Sequence, residues 1–288
     1  MIRLLPFLIA ALLLWTGDRA AAATVEKLEL HSSTLDRSLS VNVLRPDALS
    51  DGPLPVVFLL HGYGGGASDW LGGGRAKATA EAVFSAEGAV PMLLVMPGVG
   101  NSWYVNSEKY GAVETALVED IVPEIDRRYP TDARAERRFV VGLSMGGYGV
   151  LRLAVAYPEK FSAAAAFSPA IFDDVSRPED FPGFQIKFFA GAFGSPFDVD
   201  RFNSRNIFRP LQDLTERAGG RKSAFYLMTG DHDGLGLWDG TLKFFYALRR
   251  ARLPVELRVH DGNHEWRLWR NELGPALQWL QTRVRPTR

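Results

Sequence analysis

The sequence contains no cysteine. Disulfides, thiolate metal sites, a cysteine nucleophile and a lipidated N-terminal cysteine are all excluded. Nor is there a surplus of either charge: 33 Lys and Arg stand against 33 Asp and Glu, a formal net charge of zero over 288 residues. A nucleic-acid partner draws its affinity from phosphate neutralisation, which needs a basic excess this chain lacks. No internal repeat is visible. The glycine-rich stretches carry neither a phosphate-loop lysine motif nor a dinucleotide fingerprint. Beyond the extreme N-terminus, no apolar run is long enough to cross a bilayer. What is present, 47% hydrophobic and 23% charged residues, is the composition of an ordinary folded chain of one large or two small domains.

Residues 1–23 read as a targeting segment. Arg3 precedes about a dozen apolar residues, and Ala20-Ala21-Ala22-Ala23 supplies a small-residue cleavage site. The pattern predicts a secretory signal peptide cut near Ala23, a domain over 24–288, and a secreted or periplasmic protein with no stable membrane insertion once the leader is gone. Removing the leader leaves the charge balance nearly unchanged, so no polyanionic partner is expected.

Downstream, short apolar runs alternate with helical patterns. Residues 39–44 alternate as a strand with Leu39, Val41 and Val43 on one face. Runs at 56–60, 90–96, 139–141, 163–167, 225–228 and 255–259 read as buried strands of a parallel sheet. Helical spacing covers 112–128, 147–157, 242–252 and 266–283. The alternation predicts an α/β architecture, a mostly parallel twisted sheet with helices on both faces. Residues 171–222 interrupt it. Their Phe181, Phe184, Phe188, Phe189 and Phe193 predict a cap-like insertion over the ligand-facing edge of the sheet.

The chemistry centres on Ser144. Residues 138–149 combine a strand, the turn Gly142-Leu143-Ser144-Met145-Gly146 and a small-residue helix. A sharp strand-to-helix turn lifts the serine hydroxyl above the sheet, and Gly142 and Gly146 lack the Cβ atoms that would clash there. The turn also puts the Met145 amide beneath a developing oxyanion.

A serine hydroxyl needs a base, and the chain has five histidines. With a serine on such a turn, the partners follow in the order serine, acid, histidine. His264, in the loop after the last strand and just before a helix, fits best; His260 at that strand's end is second. Asp231 and Asp233 both stand at the end of the preceding strand, and Asp233 is favoured as the acid that orients the imidazole. His61-Gly62-Tyr63-Gly64-Gly65-Gly66 follows the first strong strand, and its glycines let the Tyr63 amide serve as a second oxyanion donor. His61 itself reads as a loop-shaping residue. Metal readings are poor. Asp231-x-Asp233-Gly234 lacks the closing glutamate of a calcium loop, and Gly262 and Asn263 argue against a helix presenting both His260 and His264. Neither a metal nor a cofactor is expected.

These segments, with Ser68-Asp69-Trp70, Ser102-Trp103-Tyr104, the run from Gly230 to Asp233 and the run from Gly262 to Trp266, resemble the esterase D-like branch of the α/β hydrolases. That branch includes tributyrin-type esterases, S-formylglutathione hydrolases, feruloyl esterases and mycolyltransferase-like secreted proteins. The resemblance spans roughly residues 30–285. It implies the α/β-hydrolase fold and a triad completed at Asp233 and His264. It also implies Trp103 and Tyr104 as substrate-contact residues. The expectation is a serine hydrolase acting on small-molecule carboxylic esters through an acyl-enzyme on Ser144. Acyl transfer to a sugar or lipid hydroxyl by the same residues is one alternative, and a non-catalytic binding protein on this scaffold is another. Oligomeric state is open.

Overall fold

Every side chain of Val56–Leu60 is buried. A strand buries successive side chains only when it has neighbours on both edges and a layer over each face. The computed structural model describes residues 22–47, 52–181, 183–189, 191–211 and 222–284. Its strands are β1 (Ala23–Ser32), β2 (Arg37–Pro46), β3 (Val56–Leu60), β4 (Leu93–Pro97), β5 (Asn106–Ser107), β6 (Gly111–Ala112), β7 (Arg138–Leu143), β8 (Ala163–Phe167), β9 (Ala224–Gly230) and β10 (Val255–His260). Eight of them form one sheet in the order β1-β2-β4-β3-β7-β8-β9-β10, and β5 and β6 make a separate two-stranded ribbon. Within the large sheet β2 pairs antiparallel with both β1 and β4, and every other pairing is parallel.

The pleat sorts the core into two layers. Val57 and Leu59 of β3 join Trp70, Phe139, Val141, Phe167, Leu273 and Leu277 beneath the helices Ala76–Phe84 and Trp266–Gln281. Val56, Phe58 and Leu60 point the other way, to Val140, Ile121, Val150, Leu151 and Phe244, under the helices Met145–Ala156 and Leu237–Arg250. Each such buried aliphatic or aromatic side chain stabilises the fold by about 1.5–3 kcal/mol relative to exposure. This is the α/β-hydrolase fold, a mostly parallel sheet covered on both faces.

The helical spacing over 112–128 is realised as a continuous helical segment, with a π-helical stretch at Leu117–Ile121 between Val113–Ala116 and Val122–Arg128. Pro123, which offers no amide to the turn before it, stands two residues beyond the widened stretch. β1 carries no clear strand signal in the sequence. Its apolar Leu28 and Leu30 are set among Glu26, Lys27 and Glu29, and it lies at the sheet edge, where four of its ten residues are exposed. Pairing makes it a strand: Leu30 sits opposite Leu39 and Leu28 opposite Val41.

The segment 171–222 carries a phenylalanine cluster. Phe189 lies with its ring 4.9 Å from Phe181, 5.3 Å from Phe202 and 4.9 Å from Trp103. Phe181, Phe189, Phe193 and Phe202 are buried. The Phe184 side chain, and residues 182, 190 and 212–221, lie outside the described residues, as does nearly all of the leader expected at 1–23. Among the described residues no helix is long and apolar enough to cross a membrane.

Candidate active site

Ser144 follows β7 directly and caps the helix Met145–Ala156, with φ 54° and ψ −117°. A non-glycine residue in this sparsely populated region persists only when its surroundings over-determine it. Here they do. The Ser144 amide donates to the Phe167 carbonyl at 2.9 Å, and its carbonyl accepts from Tyr148 and Ala170, each at 3.0 Å. The glycines flanking the turn are required by contact. A Cβ on Gly142 would stand 2.3 Å from the Gly146 carbonyl oxygen, and one on Gly146 would stand 2.4 Å from the Leu60 carbonyl oxygen.

Two loops at the carboxyl ends of β9 and β10 bring up the partners. They are joined by their backbones: His232 N donates to Gly262 O at 3.0 Å, and Asp231 N to His260 O at 3.0 Å. The Asn263 side-chain oxygen accepts from Gly234 N at 2.9 Å and from His264 N at 2.7 Å. The histidine loop is thereby fixed to the acid loop. His264 Nε2 lies 3.0 Å from Ser144 Oγ, and His264 Nδ1 lies 2.8 Å from Asp233 Oδ2. The Asp233 side chain is fully buried, and its other oxygen accepts from Leu235 N at 2.9 Å. Trp269 packs edge-on against the His264 ring at 4.8 Å, its own indole donating to Ser168 Oγ.

The other candidates sit elsewhere. Asp231 is exposed, bonded to His232 Nδ1 at 2.7 Å. The Gly262 amide beside its carboxyl, with His232, holds it below the usual carboxylate range. His260 points to Glu272, with Nε2 2.7 Å from Oε2, and Tyr226 donates to the same buried carboxylate. His61 is buried. Its Nδ1 lies 2.8 Å from Gly62 O, and its Nε2 accepts from Val99 N at 3.1 Å. Burial lowers its basicity. His31 and His232 are exposed. Among the described residues one group, Asp231, His232 and Asp261, has the spacing to gather a cation; all three are exposed, and exposed acidic groups commonly cluster without an ion.

A cavity of about 270 Å³ opens over Ser144. Trp103, Phe172, Phe188, Phe189, Leu237, Trp266 and Trp269 give it an apolar wall, and Asp69 is the carboxylate among its described lining residues. Tyr63 and Met145 both border it. The Tyr63 ring, partly exposed, meets Phe188 edge-on at 5.0 Å. Trp103 lines the cavity, with its indole donating to Phe188 O at 2.7 Å. Tyr104 does not line it. That side chain is fully buried, its hydroxyl donating to His61 O at 2.9 Å, so it has no surface to offer a substrate. Asp69, Phe172, Leu237, Trp266 and Trp269 also line the cavity, with no role legible for them in the sequence pattern beyond the spacing of Trp266 and Trp269, one helical turn apart just after His264.

A profile of the Esterase family matches residues 32–280. The chain is 26% identical over 232 residues to an acetyl esterase of Caldicellulosiruptor saccharolyticus, covering 79% of this chain and 83% of that one. It is 34% identical over 130 residues to a feruloyl esterase B of Neurospora crassa, covering 43% of this chain and 41% of the relative. In the solved structure of a ferulic acid esterase, 23% identical, the fold superposes with a TM-score of 0.76 over 91% of this chain and 98% of the other. With a mostly parallel hydrolase sheet and a family profile that spans most of its length, the chain belongs to the Esterase family, the esterase D-like carboxylic ester hydrolases of the α/β-hydrolase fold.

Proposed function

We propose that the protein hydrolyses carboxylic esters through a covalent acyl-enzyme on Ser144. The observation that carries this reading is the series Ser144 Oγ, His264 Nε2 and Nδ1, Asp233 Oδ2, with steps of 3.0 and 2.8 Å beside an apolar cavity. With Nδ1–H donating to the Asp233 carboxylate, Nε2 is left as acceptor for the serine proton. Ser144 Oγ attacks the ester carbonyl as His264 takes that proton. The tetrahedral oxyanion forms between the Tyr63 and Met145 amides. As it collapses, His264 returns the proton to the leaving alcohol. Water, deprotonated by the same imidazole, then releases the acid.

The cavity suggests the substrate. Its lining includes no Lys or Arg among the described residues, and its rings suit a short aliphatic or single-ring acyl group on an uncharged ester. The leader predicted at 1–23 supports export, which N-terminal sequencing of protein recovered outside the cytoplasm would test.

The direct experiment compares wild type with Ser144→Ala on p-nitrophenyl acetate and butyrate. The variant is expected to lose activity by a factor on the order of 10⁶. A fluorophosphonate probe should label wild type at Ser144 and leave the variant unlabelled. Undiminished turnover by Ser144→Ala would end the proposal.

A further inference from the structure

Three consecutive carbonyls leading into the glycine-rich loop each accept a side-chain hydrogen bond. Trp70 Nε1 donates to Leu60 O at 3.0 Å, the Tyr104 hydroxyl donates to His61 O at 2.9 Å, and His61 Nδ1 donates to Gly62 O at 2.8 Å. The direction of the last bond follows from the other ring nitrogen. Nε2 accepts from the Val99 amide at 3.1 Å, so the proton of the neutral ring must sit on Nδ1. The Gly65 amide adds a second bond to the Gly62 carbonyl at 3.2 Å.

Peptide planarity converts these bonds into a statement about Tyr63. In a trans peptide the C=O of one residue and the N–H of the next point in opposite directions. Holding the Gly62 carbonyl toward His61 and Gly65 therefore turns the Tyr63 N–H the other way. Gly62 lies close to the nucleophile: a Cβ there would be 3.7 Å from Ser144 Cβ and 2.7 Å from Leu143 Cδ1. The Leu60 and His61 carbonyls press against Gly146, where a Cβ would meet them at 2.4 and 2.6 Å. The same lock thus seats the Tyr63 loop directly on the turn that carries the Met145 amide. Tyr104 is itself held for this. It follows Trp103, and both residues have φ 56°, a strained pair. Its ring lies against Gly149, where a Cβ would be 2.5 Å from Cδ2. Burial keeps the Tyr104 phenol protonated well beyond its ordinary range, so it remains a donor.

We infer that His61 and Tyr104 are positioning residues, a buried two-donor lock that fixes the Gly62–Tyr63 peptide plane with its amide aimed at the oxyanion. This rests on the reading of Tyr63 as an oxyanion donor. The gain is preorganisation: a donor already aimed costs no rearrangement when charge develops.

The test uses Tyr104→Phe, which removes one oxygen and leaves the ring against Gly149, together with His61→Phe and His61→Asn. The Asn amide can donate from near the Nδ1 position, whereas Phe cannot. Each is assayed for kcat and KM on p-nitrophenyl butyrate, and for inhibition by an alkyl trifluoromethyl ketone, whose serine adduct carries the oxyanion. A full lost donor costs about 10²–10³ in kcat, so a loosened one is expected to cost about 10- to 100-fold in Tyr104→Phe and His61→Phe. KM should stay within about threefold, ketone affinity should fall in parallel, and His61→Asn should recover part of both. A packing defect alone would lower the melting temperature without this paired loss. Wild-type kcat and ketone affinity in folded Tyr104→Phe would overturn the inference, and that variant decides alone if the His61 variants do not fold. Failure of the site reading looks different, because wild type itself would then neither hydrolyse the ester nor be labelled at Ser144.

Discussion

Asp233 offers one carboxylate oxygen to His264 at 2.8 Å and takes the Leu235 amide on the other at 2.9 Å, with no exposed side-chain surface. Asp231, two residues earlier, spends its carboxylate on His232 and Gly262 at the surface. Asp233→Asn should therefore lower kcat by about 10⁴, the cost of presenting the wrong imidazole tautomer. Asp231→Asn and His260→Gln should stay within about threefold of wild type. Steady-state kinetics on p-nitrophenyl butyrate for the three variants would check this, and a large kcat loss confined to His260→Gln would reassign the base.

Gly146 has no room for a methyl group, because the obstacles are the backbone carbonyls of Leu60 and His61 at 2.4 and 2.6 Å. Gly146→Ala must displace the turn or the strand end. A destabilisation of about 1–3 kcal/mol is expected for such overpacking, together with a loss of kcat, since the displaced groups adjoin Ser144. Thermal melts read with activity would show both. A variant with unchanged melting temperature and unchanged kcat would mean that the contact is slack.

Stability should fall on acidification partly through His61. Burial depresses its pKa in the folded state, while the Gly62 carbonyl and Asp69 oppose the shift. The unfolded chain therefore binds a proton that the folded chain resists. The stabilising contribution is whole above about pH 6.5, the unfolded histidine value, and is lost as pH drops toward the folded value. For one such group the slope is at most about 1.4 kcal/mol per pH unit. Melting temperatures from pH 7.5 to 5.0 should decline less steeply in His61→Asn than in wild type. Parallel curves would assign the acid lability to other groups.

Asp69 places a carboxylate in the cavity wall, and no Lys or Arg accompanies it among the described lining residues. Esters with a free carboxylate should be turned over poorly. Two unit charges about 4 Å apart interact by at least about 1 kcal/mol even in water, so Asp69→Asn should raise the preference for a p-nitrophenyl hemisuccinate over the butyrate by roughly fivefold or more. Added salt should narrow the difference between the two proteins. An unchanged ratio would remove Asp69 from substrate selection.

Much of this molecule is written locally. The run Val56–Leu60, apolar at every position, has to be a strand buried on both faces, and it is. The glycines on either side of Ser144 announce a turn that no side chain could fill, and each proves to be pressed against backbone. The loop after Val255–His260 announces a histidine before a helix. These signals survive because each depends on residues within a few positions of one another.

Tertiary structure decided whatever needed two distant segments to meet. β1 became a strand because Arg37–Pro46 paired with it, not because its mixed alternation demanded it. Choosing among Asp231, Asp233, His260 and His264 required knowing that Glu272, from a helix, would engage one histidine, while Ser144, 120 positions upstream, would lie beside the other. Tyr104 is adjacent in sequence to a cavity residue yet turns inward to hold His61. The direction of a side chain at a strained backbone position is set by the neighbours that trap it, and in this protein those neighbours come from other parts of the chain.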